Sequence, residues 1–151
     1  MSVAFRRESD EEHLEPRFEL PIPPGPNRVT AAGPALIAGK VVDLEVRIAA
    51  ASTEDAVPLL RELRYWRTRA ATVEVMPLPE DDEVGIGSRV TFALNGAERT
   101  LAIVGHDEAN GETAVGFAAP LARAMIGLQA GETANFQGRT DAIRILSVEN
   151  Y

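Results

Sequence analysis

The sequence predicts an α+β protein: a short N-terminal antiparallel helical hairpin, then a compact antiparallel β-sheet domain with one short helix. Three observations carry this. Between residues 30 and 74, apolar residues recur three and four apart in two runs separated by a short break. From residue 84 onward the apolar period changes to two. Tight-turn dipeptides, Asn95-Gly96 and Asn110-Gly111, fall between the period-two runs.

Residues 1–28 form the first block. Glu8 to Glu12 is acidic, and Pro16 to Pro26 holds five of the ten prolines. Proline lacks a backbone donor and biases its predecessor toward extended conformations, so this block reads as a tail or extended strap. Phe18, Leu20 and Ile22 alternate, which also suits an edge strand docking on something. Folded back along the hairpin, the tail would control access to it.

Residues 29–76 form the hairpin. Two helix starts are available: Thr30 as N-cap, or Gly33-Pro34 with proline at the first helical position. Ile37, Val41, Leu44 and Ile48 make the first heptad seam, and Leu59, Leu63, Trp66, Ala70 and Val73 the second. The break from Ala49 to Glu54 is long enough only for a reversal. Arms of about 18–20 residues give rods of roughly 27–30 Å. The acidic linker 77–83 follows, Pro77 to Glu83.

In residues 84–151, Val90, Phe92 and Leu94, then Leu101 and Ile103, then Val115 and Phe117, then Ile143 and Ile145 mark strands. Pro120 to Met125 reads as the one short helix, stopped by Gly127. A domain this small has a thin core, so it is expected to dock on the hairpin base with Trp66 as buttress.

Composition narrows the function. The net charge of −8 disfavours free duplex DNA as a stable partner, because such binding draws on Lys and Arg neutralising phosphates. The chain has no cysteine, which removes thiolate metal sites and Cys nucleophiles and fits a cytoplasmic protein. No apolar run approaches the roughly 20 residues of a membrane span, and Met1 to Arg7 lacks a signal-peptide core. A monomer is expected.

No set of residues reads as catalytic or as a metal site. His13 and His106 are far apart, and His106-Asp107-Glu108 reads as a solvated strand end whose neighbours point to opposite faces. Ser88 and Ser147 lack a base nearby in sequence, and Gly85-Ile86-Gly87 lacks the third glycine of a dinucleotide site. Two constellations remain. Glu54-Asp55 at the hairpin tip suits sharing a Mg²⁺ held partly elsewhere, or simply the positive end of a helix. Arg61, Arg64, Arg67 and Arg69 on the second arm suit contact with nucleic acid or acidic protein, or a solvated face paired with Glu62.

Several of these segments resemble the Gre family of transcript elongation and cleavage factors. Val29-Thr30-Ala31-Ala32-Gly33 resembles the family's V-T-x-x-G, and Ile103-Val104-Gly105-His106-Asp107-Glu108-Ala109 its I-V-G-x-D-E-A. Pro120 to Gly127 is similar to its S-P-x-A-R-A-L-x-G helix, and Ile143 to Tyr151 to its last strand. The resemblance covers roughly residues 29–151. It implies an FKBP-like C-terminal domain docking on the secondary-channel rim of RNA polymerase, on the largest subunit, through Asp107, Glu108, Ala118, Ala119, Pro120 and Arg123. The hairpin would point toward the catalytic centre.

Two departures from the family pattern bear on activity. The hairpin is short, as in the Rnk-like branch, with only Glu54 and Asp55 left of the tip motif. Ala118 and Ala119 stand where the family has polar residues. The resemblance therefore implies a regulator with no intrinsic cofactor that modulates elongation or initiation without transcript cleavage. The alternatives are a cleavage-stimulating factor whose Glu54 and Asp55 share the polymerase Mg²⁺, and an FKBP-like prolyl isomerase lined by Phe92, Phe117, Phe136 and Tyr151.

Overall fold

The computed structural model describes residues 19–150. The expectations for residues 1–18, Phe18 included, and for Tyr151 lie outside the described residues. Leu20 and Ile22 are exposed and belong to no strand, so the edge-strand reading fails for them. With a proline on either side of Ile22, that stretch lacks the donors a ladder needs.

After β1 (Arg28–Val29), helix α1 (Gly33–Ala50) begins at the second of the two predicted starts. Pro34 sits in its first turn, where a missing N–H costs nothing. Thr30 lies before the helix, its carbonyl accepting the Gly33 N–H at 2.9 Å. Ala51-Ser52 joins α1 to α2 (Thr53–Thr72). Ser52 Oγ accepts the Asp55 N–H at 3.0 Å and so caps α2.

Across the pair, Arg67 Nη2 donates to Glu45 Oε2 at 2.9 Å and Lys40 Nζ lies 5.7 Å from the Trp66 ring centre. Residues so far apart in sequence meet across a two-residue connection only if the second helix returns along the first. The seams cover Ile37, Leu44 and Leu63 almost completely, with Val41, Ile48, Leu59 and Trp66 half-buried.

The second seam departs from expectation at its end, where Ala70 is exposed and Arg69 is only 3% exposed. A single methyl offers little to cover, whereas the Arg69 stem carries its guanidinium to 5.9 Å from the Tyr65 ring centre.

Beyond α2 comes β2 (Glu74–Val75), which pairs in parallel with β1, Arg28 opposite Glu74 and Val29 opposite Val75. The Glu74 and Met76 N–H groups donate to the carbonyls of Asn27 and Val29, both at 2.9 Å. Asn27 Nδ2 adds a bond to Thr72 Oγ1 at 3.1 Å. The chain therefore leaves for the helices and returns from them at one ladder. Among the described residues two compact units result: 19–24 with Ala38–Ala71, and Gly25–Ile37 with 72–150.

The second unit holds β3 (Ser88–Leu94), β4 (Ala97–Val104), β5 (Ala114–Gly116), α3 (Pro120–Met125), β6 (Thr133–Phe136) and β7 (Arg139–Asn150). Its sheet runs in the order β5-β4-β3-β7-β6. The sheet is mixed, which corrects the expected antiparallel one: β5 runs parallel to β4, Ile103 opposite Val115.

The reason lies at Asn110-Gly111, which makes no hairpin. A type I′ turn needs two left-handed residues, and of this dipeptide Gly111 alone is left-handed, at φ 80°. Asn110 Oδ1 instead accepts the N–H groups of Glu112, Thr113 and Ala114 at 2.8–2.9 Å and shapes a crossover. Asn95-Gly96, with φ 52° and 89°, makes the β3–β4 turn as expected, and Gln137-Gly138, at 50° and 80°, makes the β6–β7 turn.

Inward-facing Val90, Phe92, Leu101, Ile103, Ile143 and Ile145 form the core with Val84, and α3 closes it with Ala122 and Met125. Each such large side chain, fully buried, contributes about 1.5–3 kcal/mol. Ser88 is buried too, its Oγ accepting the Gly85 N–H at 2.9 Å and bonding the Asn150 side chain, so it ties the linker to β7. Among the described residues no helix is long and apolar enough to cross a membrane.

Candidate functional site

The β-domain places the predicted docking residues in two groups. The first surrounds Glu108. Residues His106–Glu108 form a 3-10 turn after β4 rather than a strand end, because the chain must turn here to reach β5. The turn brings the Glu108 carboxylate onto three donors. Oε2 accepts the Thr30 N–H at 3.0 Å and the Gly105 N–H at 2.8 Å, and Oε1 accepts the Thr30 hydroxyl.

Close packing surrounds this contact. A Cβ on Gly105 would lie 2.5 Å from the Arg28 carbonyl oxygen, and one on Gly33 would lie 2.5 Å from Val29 Cβ. The segments Val29-Thr30 and Gly105–Glu108 thus interlock, and Glu108 serves as an internal fastener. Asp107 is half-buried beside it and His106 is exposed.

The second group is an open depression of about 410 Å³ lined by Phe117, Ala118, Arg123 and Ile126. Pro120 starts α3, and the Ala119 carbonyl accepts the Arg123 N–H at 2.9 Å, so one turn of helix sets Arg123 back toward Ala118. Ala118, Pro120 and Arg123 are exposed and Ala119 is half-buried. Its lining is three apolar residues and one arginine, suited to an apolar side chain next to a carboxylate.

The sequence reading omitted Ile126, 39% exposed, and placed Phe117 on a strand. The signal was a large apolar residue between the last helical position and Gly127. Of the aromatics proposed for a prolyl pocket, Phe92 is wholly buried in the core, and Phe117 and Phe136 are half-buried.

At the hairpin tip, Glu54 and Asp55 are both exposed in the first turn of α2. Consecutive helical residues point about 100° apart, so the two carboxylates diverge and do not form a chelating pair by themselves. Among the described residues no group of three His, Asp or Glu side chains is placed to hold a metal ion.

The arginines of α2 do not share one outer face. Arg67 is tied to Glu45, Arg69 is buried, and Arg61 is half-buried. Arg64 makes a two-pronged contact with Glu19: Nε to Oε1 at 2.8 Å and Nη2 to Oε2 at 2.5 Å. The Arg64 hydrogen bonds and the charges of Arg64 and Arg61 hold the Glu19 carboxyl below its ordinary value, against a smaller opposing desolvation.

These features define an α+β protein with a helical hairpin and a β-domain that bears an exposed apolar depression. Residues 79–150, just under half of the chain, match the family described as transcription elongation factor GreA/GreB, C-terminal domain. This C-terminal stretch is therefore similar to that family's domain, as its motifs led one to expect. No curated protein matches the chain.

Among solved structures, it is similar to the GreA factor homologue Gfh1 of Thermus thermophilus, at 13% identity and TM-score 0.38, over 83% of this chain and 99% of that one. Gfh1 of Thermus aquaticus gives 13% and 0.39, over 82% and 98%. The elongation factor GreA/GreB of Nitrosomonas europaea gives 18% and 0.40, over 85% and 100%.

Proposed function

We propose that the protein is a bacterial RNA polymerase-binding transcription regulator that docks at the rim of the secondary channel. It modulates elongation or initiation without stimulating transcript cleavage and is not itself an enzyme. The family of the C-terminal domain carries this reading. The depression at Phe117, Ala118, Arg123 and Ile126 is the docking surface in it, read as part of an FKBP-like domain. Arg123 would meet a carboxylate on the polymerase, an interaction for which guanidinium geometry is well suited.

The absence of cleavage stimulation is argued from the rod. Helices of 18 and 20 residues are about 27 and 30 Å long, and the tip carboxylates diverge. A Mg²⁺ at the tip would take one carboxylate from this chain and its remaining ligands from the polymerase. The protein acts as a monomer in the cytoplasm in this reading.

The test is binding of core polymerase in competition with a full-length Gre factor. The intact protein should displace the factor, and Arg123→Glu should compete about tenfold less well, equivalent to about 1.4 kcal/mol. Failure of the intact protein to compete would overturn the reading. RNA shortening in a stalled complex, lost on converting Glu54 and Asp55 to alanine, would replace it with the cleavage-factor alternative.

A further inference from the structure

Helix α1 is apolar on two opposite sides. Val41, Leu44 and Ile48 face the hairpin seam. At about 100° per residue, the far side carries Ala38, Gly39, Val42, Val46, Ala49 and Ala50. These six span an arc of about 120° that holds no polar side chain, and all are exposed. Among the described residues, Val46 at 65% and Val42 at 58% are the most exposed large apolar side chains. Exposed helix positions favour Ala, Lys or Glu over β-branched residues, so local propensity gives no reason for two valines one turn apart. A helix apolar all round is normally covered on every side.

The order of the six residues says what fits them. They are symmetric about position 44: Ala38 answers Ala50, Gly39 answers Ala49, and Val42 answers Val46. A second copy of α1, laid antiparallel across a two-fold axis at the level of Leu44, therefore sets valine on valine with small residues at both ends. Gly39 has open space where a Cβ would stand, so the opposing helix comes close there.

The flanking charges suit the same partner. Asp43 lies 3.5 Å from Arg47 and Glu45 lies 2.9 Å from Arg67, so each carboxylate beside the stripe is matched by an arginine. In the two-fold register, Arg47 of the second copy stands about 3 Å along the helix axis from Asp43, against about 6 Å for the Arg47 on the same helix. The two ion pairs can thus exchange partners across the interface. The stripe is about 18 Å long. That is too short for the area of a permanent dimer, so pairing is weak and depends on concentration.

We propose that this face of α1 is a self-association surface, on which two copies of the chain pair antiparallel with Val42 of each against Val46 of the other. This goes beyond the polymerase-docking reading, in which the monomer acts, and it is tested without polymerase.

The experiment is sedimentation equilibrium of the full chain between about 5 and 500 µM. The mass should rise from one chain toward two, with a dissociation constant on the order of 100 µM. V46K should weaken association at least about tenfold. Lysine is the better helix former at an exposed site, so the fold should survive, as circular dichroism verifies. V57K replaces another exposed valine, on α2 and outside the stripe, and should leave association unchanged. The chain has no cysteine, so single-cysteine variants report the register. An equimolar mixture of V42C and V46C should oxidise to the mixed disulfide in preference to either self-disulfide. A mass of one chain at every concentration would overturn the proposal. So would association that V46K leaves intact or that V57K weakens equally, and so would a preference for self-disulfides.

Discussion

Replacing Glu108 with alanine tests whether the β-domain is fastened to the start of the hairpin as the geometry indicates. The carboxylate accepts three hydrogen bonds, two from backbone N–H groups and one from the Thr30 hydroxyl. A hydrogen bond to a charged group contributes roughly 1.5–3 kcal/mol. Three bonds on one half-buried carboxylate share their acceptor and are partly solvated, so they do not add in full. A loss of about 2–4 kcal/mol is expected, a large share of the roughly 5–15 kcal/mol that holds a domain folded. For a chain of this size that corresponds to a fall in Tm of about 5–15 °C.

Thermal and urea unfolding followed by circular dichroism measure the loss. T30A should cost about 1 kcal/mol in the natural background and much less in E108A, since the hydroxyl acts only through the carboxylate. A loss below about 0.5 kcal/mol for E108A, or strictly additive losses in the double variant, would refute the fastener.

Two glycines should respond oppositely to alanine. G105A sets a methyl 2.5 Å from the Arg28 carbonyl oxygen and 2.7 Å from Glu108 Oε2, and should cost about 1–3 kcal/mol. G39A, in mid-α1 with open space around it, should stabilise by up to about 1 kcal/mol. Both are read from the same unfolding curves.

The Glu19 carboxyl titrates below its ordinary value because Arg64 favours the charged form. A depressed folded pKa means the contribution is present above the unfolded value and is lost as pH falls through the folded one. The Glu19–Arg64 contact should therefore persist through the ordinary glutamate range and be lost only below it. NMR titration of the Glu19 side chain should show its midpoint rise in R64A, and an unchanged midpoint would count against the contact.

Much of this architecture was legible because it rests on local rules. Ile37, Leu44 and Leu63 announced the hairpin by their spacing, and Pro120 with Gly127 bounded α3. Asn95-Gly96 gave its turn because both residues take the left-handed conformation. What stayed hidden depended on partners distant in sequence. Strand β6 is four residues long, three of them half-buried and Asn135 exposed, so no strong alternation marked it.

The parallel placement of β5 followed from Asn110 capping its own loop, which an Asn-Gly pair does not advertise. At the candidate site, the exposed run around Ala118 and Arg123 was readable as a motif. The withdrawal of Glu108 into the structure was not, because Thr30 lies 78 residues away. Arg64 and Glu19, 45 residues apart, are hidden for the same reason.

The β1–β2 ladder also makes reach an adjustable property of this protein. Because the two ends of the helical hairpin stand side by side, equal lengths of chain added to both arms move only the tip. One extra heptad in each arm would lengthen the rod by about 10 Å while leaving every residue of the ladder in register. Depth of penetration into a partner and attachment to its surface are then separable traits, tunable by insertion in one place and by substitution in another.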